Sequence, residues 1–154
     1  MPGRTLAIGD IHGSDVALNT LLAELTISPD DTVVVLGDAV DRGPGSRQVV
    51  DRLLQLSQQC RLVFILGNHE QMLLDFIDNS DMSWLHPSNG GAKTLSQYGS
   101  PMDAVDGFSN LRIPAHHIDY FRSSIMVSQL LSRSVERIAR PPPFGGDFTT
   151  CLSF

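Results

Sequence analysis

Three segments of this 154-residue chain repeat one pattern: an apolar run rich in branched side chains, then a glycine, then Asp or Asn. They read Leu6-Ala7-Ile8-Gly9-Asp10, Val33-Val34-Val35-Leu36-Gly37-Asp38 and Phe64-Ile65-Leu66-Gly67-Asn68. Runs that are apolar at every position suit strands buried on both faces, as in a parallel sheet covered by helices. The Gly–acid step that ends each run is turn chemistry. Strands are predicted over 5–9, 32–36 and 62–66, a spacing that fits consecutive βαβ units.

The intervening segments read as helices. Leu18, Leu21, Leu22 and Leu25 recur at helical spacing behind Ser14 or Asp15 as N-cap, which predicts a helix over 15–25. Ser28-Pro29-Asp30-Asp31 ends it. Val49, Val50, Leu53, Leu54 and Leu56 mark a second helix that runs out near Gln58, and Met72, Leu73, Phe76 and Ile77 mark a third after Glu70. Beyond a polar loop from Trp84, short helices are predicted over 92–98 and from Pro114, placed at the first helical position, to 123. The fold class is α/β with a parallel βαβαβ core.

Three continuous strands deliver oxygen ligands to one edge of such a sheet, where open α/β proteins bind ligands. Asp10 and His12 stand two apart just past the first strand, and Asp38 leaves the next one. Asn68 leaves the third, followed by His69 and Glu70. Hard oxygen donors with imidazole suit Mn, Fe, Zn or Mg. Asp38 is placed to bridge two such ions, with Asn68 offering a carbonyl oxygen to the second. Two divalent ions ~3.5–4 Å apart polarise a phosphate and generate a hydroxide for in-line attack. His69 is positioned to act as general acid, Asp41 to hold its imidazole, and Arg42 to grip phosphate oxygens in a bidentate fork. Taken singly, each Gly-Asp is a turn leading to a helix cap. Three copies with these His, Asp and Arg continuations are hard to obtain by chance.

Gly9-Asp10-Ile11-His12-Gly13, Gly37-Asp38-Ala39-Val40-Asp41-Arg42-Gly43 and Gly67-Asn68-His69-Glu70 together resemble the calcineurin-like metallophosphoesterases. The loop Val40–Arg47 and the stretch with Trp84, Asn89-Gly90-Gly91, Thr94-Leu95 and Tyr98-Gly99 are similar to bacterial serine/threonine phosphatases of the phosphoprotein phosphatase branch. The resemblance implies the N-terminal half of an α/β/β/α sandwich. It implies Asp10, His12 and Asp38 on one metal, and Asp38 and Asn68 on a second. It also implies His69 with Asp41 as the acid pair, and Arg42 with Asn68 toward the substrate phosphate. The activity implied is metal-dependent phosphoester hydrolysis with metal-activated hydroxide, on phosphoserine and phosphothreonine in proteins. Dinucleoside tetraphosphate hydrolysis shares the same motifs, and an inactive remnant that binds metal or phosphate is the reading from another class.

The resemblance covers about residues 4–123. In the family two further metal-binding histidines follow, in His-Ala-Gly-like and Gly-His motifs, and this sequence has neither motif. His86 is expected in a solvated loop, and His116 and His117 on a helix surface. Residues 124–154 carry five serines, a Pro141-Pro142-Pro143 run and Gly145-Gly146, with no convincing strand. They are expected to form a non-family tail, disordered or out of frame, on a truncated or frameshifted chain. A sheet cut after its third strand would expose an edge and an apolar face, so self-association is expected.

Composition bounds the partners. The net charge is −6, which argues against a nucleic-acid backbone as partner. The apolar runs are too short to span a bilayer, and the N-terminus lacks a signal-peptide core. Cys60 and Cys151 make no disulfide framework, so reduced thiols in a cytoplasm are expected.

Overall fold

A computed structural model of the chain describes residues 3–100 and 111–126. Three strands, β1 (Thr5–Ile8), β2 (Thr32–Val35) and β3 (Arg61–Phe64), form one parallel sheet in the order β1-β2-β3. Thr5, Thr32 and Arg61 align in one row, and Ile8, Val35 and Phe64 in another. β1 ends with its apolar run at Ile8, while β2 and β3 end one and two residues before theirs. Leu36 and Ile65 still donate N–H groups to the neighbouring strand, at 2.8 and 2.9 Å, before the chain turns away.

The crossovers are α1 (Asp15–Leu25) and α2 (Ser46–Leu56); α3 (Asn68–Asn79), a 3₁₀ turn (Met82–Leu85), α4 (Gly91–Gln97) and α5 (Ala115–Arg122) follow. With strands paired in sequence order and right-handed crossovers, α1 and α2 lie on the same face. They pack on each other, while α5 packs on α2 and α3. That face of the sheet carries Ile8, Val33, Val35 and Phe64, all buried. Beneath the helices lie Val49, Val50, Leu53 and Leu56, each fully buried at the spacing that predicted α2. Leu36, on the alternate side of β2, is 52% exposed, so among the described residues that side has no helix over it. None of the described helices is long and apolar enough to cross a membrane.

Several expectations need correction. The third helix begins at Asn68, two residues before Glu70, because the Glu70 carboxylate reaches back to accept the N-cap Gly67 N–H at 3.1 Å. Pro114 is the N-cap of α5, not its first helical residue. Ser14 takes the N-cap position of α1 without a side-chain hydrogen bond. His117 is fully buried rather than on a helix surface, because α5 lays it against α2. His86 is exposed, as expected of a loop. A strand pairing was not expected after 123, yet Ile125 bridges Ile65 in parallel: its N–H reaches Phe64 O at 2.9 Å and its carbonyl accepts from Leu66 at 3.0 Å. A fourth parallel position therefore starts beside β3. The expected tail beyond residue 126, with Cys151, lies outside the described residues.

Candidate metal centre and phosphoester site

The carboxyl edge of the sheet is where the three glycine turns converge. Gly37 has φ +94°, and a Cβ there would stand 2.6 Å from Gly67 Cα, so the second and third turns touch backbone to backbone. The first and second loops are stitched by four backbone hydrogen bonds. His12 donates to Asp38 O and Gly13 to Ala39 O, both at 2.8 Å; Gly43 donates to His12 O at 2.9 Å and Gly45 to Gly13 O at 2.8 Å.

These contacts hold the chain in a conformation that side chains with a Cβ resist. Asp10, His12, Asp38, Asp41 and Arg42 have φ between +34° and +70°, while only Thr26 and Ser80 share that region elsewhere among the described non-glycine residues. Left-handed backbone at such residues costs on the order of 1–3 kcal/mol each and concentrates at functional loops. Five residues that the sequence singled out for chemistry carry it here.

Glu70 is the anchor that periodicity did not single out. Its carboxylate is fully buried and accepts four backbone N–H groups: Asp38 at 2.9 Å, Ala39 at 2.8 Å, Val40 at 3.2 Å and Gly67 at 3.1 Å. Burial pushes the Glu70 carboxyl up, against the downward pull of the Val40, Ala39 and Asp38 N–H groups. One side chain thus ties the second loop to the start of α3, and α3 presents His69 beside that loop.

Asp41 forms the other buried node. Its Oδ2 accepts from His69 Nδ1 and Trp84 Nε1, both at 2.8 Å, and its Oδ1 accepts from Thr94 Oγ1 at 2.6 Å. Asp41 and Thr94 are fully buried, as is Trp84, and His69 is 2% exposed. Because Thr94 spends its proton on Asp41, Ser46 Oγ donates to Thr94 at 3.1 Å and accepts the Asp41 N–H at 3.0 Å. The carboxylate is closed in a ring, with both oxygens accepting from three donors in all. A carboxylate can only accept, so His69 carries its proton on Nδ1 and turns Nε2 away from Asp41.

His12 is oriented in the same manner. Its Nδ1 meets Val40 O at 3.0 Å, a carbonyl that can only accept, so the lone pair lies on Nε2. Arg42 Nη1 donates to that Nε2 at 3.0 Å. The ligand atoms of His12, Asp38 and His69 all lie within 4.8 Å of one another. A buried-sided imidazole with its tautomer fixed by a backbone carbonyl, next to a carboxylate, fits a divalent cation. Asp10 and Asn68 are both exposed at the rim, and Asp10 is outside that trio. Arg42 is exposed, with its backbone carbonyl accepting from Lys93 at 2.9 Å. The structure therefore joins His12, Asp38, Asp41, Arg42 and His69 directly, and leaves Asp10 and Asn68 at the mouth.

Sequence reasoning missed the packing around Asp41. Trp84, Thr94 and Gly90–Gly91 entered only through resemblance, and nothing in their local pattern points to a residue 43 or 53 positions earlier.

The chain matches the calcineurin-like phosphoesterase family over residues 3–140, which runs past the expected boundary at 123. It is 44% identical over 71 residues to a symmetrical bis(5'-nucleosyl)-tetraphosphatase of Pectobacterium atrosepticum, covering 46% of this chain and 25% of that protein. It is 36% identical over 84 residues to serine/threonine-protein phosphatase 2 of Salmonella typhimurium, covering 54% of this chain and 37% of that one. Among solved structures, one provisionally assigned as a diadenosine tetraphosphatase superposes with a TM-score of 0.52 at 28% identity, over 80% of this chain and 44% of that chain. A cold-active protein-tyrosine phosphatase of a Shewanella species shares the fold with a TM-score of 0.54 at 23% identity, over 87% of this chain and 47% of that chain. This chain thus spans a quarter to less than half of the length of these relatives. By the extent of the family match, and with the three strand-end motifs gathered on one sheet edge, the chain belongs to the calcineurin-like phosphoesterases.

Proposed function

We propose that this chain carries the metal-binding and proton-handling part of a metal-dependent phosphoester hydrolase. The observation that supports the reading best is the buried Asp41–His69 pair at 2.8 Å beside the His12–Asp38 cluster. Asp10, His12 and Asp38 would hold one divalent cation, and Asp38 and Asn68 would contribute to a second; Mn is the expected ion, with Fe, Zn or Mg as substitutes. Such cations neutralise charge at a phosphate and act as Lewis acids on its oxygens.

The chain's own residues then divide the remaining work. Asp41 cannot leave its three donors, so it holds the His69 ring in one orientation and stabilises the imidazolium form. A His69 so held delivers a proton from its free ring nitrogen to the departing alkoxide, a contribution worth ~10²–10⁴ in rate. Arg42 releases His12 and turns its guanidinium to the phosphate oxygens, with Asn68 beside it. Trp84 and the α3 start exclude water from the back of Asp41. The setting is the cytoplasm.

Two substrate classes remain open under this reading. The serine/threonine phosphatase relative supports phosphoserine and phosphothreonine in proteins, and the tetraphosphatase relative supports dinucleoside tetraphosphates equally. The test is Mn²⁺-dependent turnover of p-nitrophenyl phosphate, a phosphothreonine peptide and diadenosine tetraphosphate, with Asp38→Asn as control. Turnover that needs metal and Asp38 supports the hydrolase. Metal uptake without turnover of any of the three overturns it in favour of a binding remnant.

A further inference from the structure

A second cluster of metal-ligating side chains lies away from the sheet edge, where α5 crosses α2. Asp51, His116 and His117 bring one ligand atom each to within 4.8 Å of the others. Asp51 stands five residues into α2, ~7 Å further along the helix axis than Ser46, which lines the Asp41 ring. The two clusters share no residue and meet α2 at different points along its length.

The geometry is that of a built site, not of a chance meeting on the surface. His117 is fully buried. Its Nε2 is 3.0 Å from Asp51 Oδ1, and its Nδ1 is 2.9 Å from the Tyr98 hydroxyl. Asp51 can only accept, so Nε2 carries the proton and Nδ1 accepts from Tyr98. Asp51 is 46% exposed and opens the cluster to solvent. His116 is exposed, with its ring nearly perpendicular to His117, at 87° and 4.5 Å between centroids. A buried imidazole, backed by a polar partner on its far nitrogen and flanked by two ligands at the rim, is the layout of a cation site with one open position.

We propose that Asp51, His116 and His117 form a second transition-metal site, of the zinc class, that clasps α5 to α2. Two imidazoles and one carboxylate suit Zn²⁺ or Co²⁺ better than Mg²⁺ or Ca²⁺. Ligand bonds of ~2.0–2.2 Å in tetrahedral geometry put donor atoms ~3.4 Å apart. The Asp51–His117 pair at 3.0 Å is already close to that. His116 closes the remaining gap by a rotamer change, open to it because it is exposed. When the ion binds Nε2, the His117 proton moves to Nδ1 and is donated to the Tyr98 oxygen, whose own hydroxyl hydrogen rotates out of the contact, so the ring stays neutral and no proton is lost overall. Arg47, whose Nε is 3.9 Å from Asp51 Oδ2, keeps its charge on the outer oxygen and leaves Oδ1 to the metal. The clasp would also steady Ile125, three residues past α5, in its pairing with Ile65.

The test is equilibrium dialysis of the full chain against Zn²⁺, after chelation and gel filtration, for wild type, Asp38→Asn and His116→Ala. Long-range ¹H–¹⁵N spectra of the histidine rings are recorded alongside. The expected result is one zinc equivalent that survives Asp38→Asn but weakens by ~10-fold or more in His116→Ala. The His117 Nε2 resonance should shift on zinc addition in wild type and in Asp38→Asn. His116 is exposed, so its alanine variant folds; should it not, Asp51→Asn serves as the second variant. The proposal is overturned if His116→Ala binds zinc as wild type does, or if the His117 nitrogens do not move when zinc is added.

Discussion

Replacing Glu70 with Gln changes one atom and isolates what the buried carboxylate does. In the native chain Oε1 takes the Ala39 and Val40 N–H groups, while Oε2 takes those of Asp38 and Gly67. Glutamine keeps one oxygen for the first pair and turns an NH₂ on the second, donor against donor. Two part-buried N–H groups lose their acceptor, at up to ~1–3 kcal/mol each, or ~2–6 kcal/mol together. Removing a buried charge returns part of this, because burial already pushes the Glu70 carboxyl up. A net loss of ~2–3 kcal/mol remains, an apparent fall in Tm of roughly 4–12 °C for a chain of this size. Thermal unfolding by circular dichroism gives the global figure. Amide hydrogen exchange locates it: protection should drop at Asp38 and Gly67 and persist at Ala39 and Val40. A variant with unchanged Tm, or one whose protection falls evenly over the sheet, would show that Glu70 does not clamp these loops.

Three further outcomes follow from the same contacts. Asp41→Asn keeps the volume but supplies the His69 ring with a weaker partner. Turnover of any phosphoester the chain hydrolyses should fall ~10²–10⁴-fold with KM little changed, and the His69 ring nitrogens should show a mixed tautomer by NMR. Gly37→Ala forces a Cβ to 2.6 Å from Gly67 Cα at a φ of +94°, so denaturant unfolding should show a loss of at least ~2 kcal/mol. Asp31 is held below the usual carboxylate range by the Arg4 guanidinium, with help from the Ser28 and Arg4 N–H groups. Its folded pKa is depressed, so its contribution is complete above the unfolded value of ~3.9 and is lost as pH falls below it. Asp31→Asn should therefore melt lower than wild type at pH 7, and the gap should narrow at pH 3; an equal gap at both would contradict the pairing.

The family match extends to residue 140, past the boundary expected at 123. Ile125 continues β-pairing at the point where composition turned to serine and arginine. Pattern reading failed there because a single parallel bridge needs only a backbone N–H and C=O, which every residue but proline supplies. No hydrophobic period announces it.

What the sequence determined by itself is local and periodic. Strand–Gly–acid repeats set the parallel sheet, the leucine and valine spacings set α1 and α2, and the turns put Asp10, Asp38 and Asn68 at one edge. These follow from patterns within about ten residues, where backbone geometry dictates which side chains share a face. Only the tertiary structure decided which partners those residues acquire. Trp84 and Thr94 reach Asp41 from 43 and 53 positions away, Glu70 holds a loop 30 to 32 positions earlier, and His117 meets Asp51 across 66. Such contacts depend on how helices stack on the sheet. Side-chain identity alone does not encode that stacking, because a buried Trp, Thr or His satisfies its hydrogen bonds equally well with any acceptor the packing brings near.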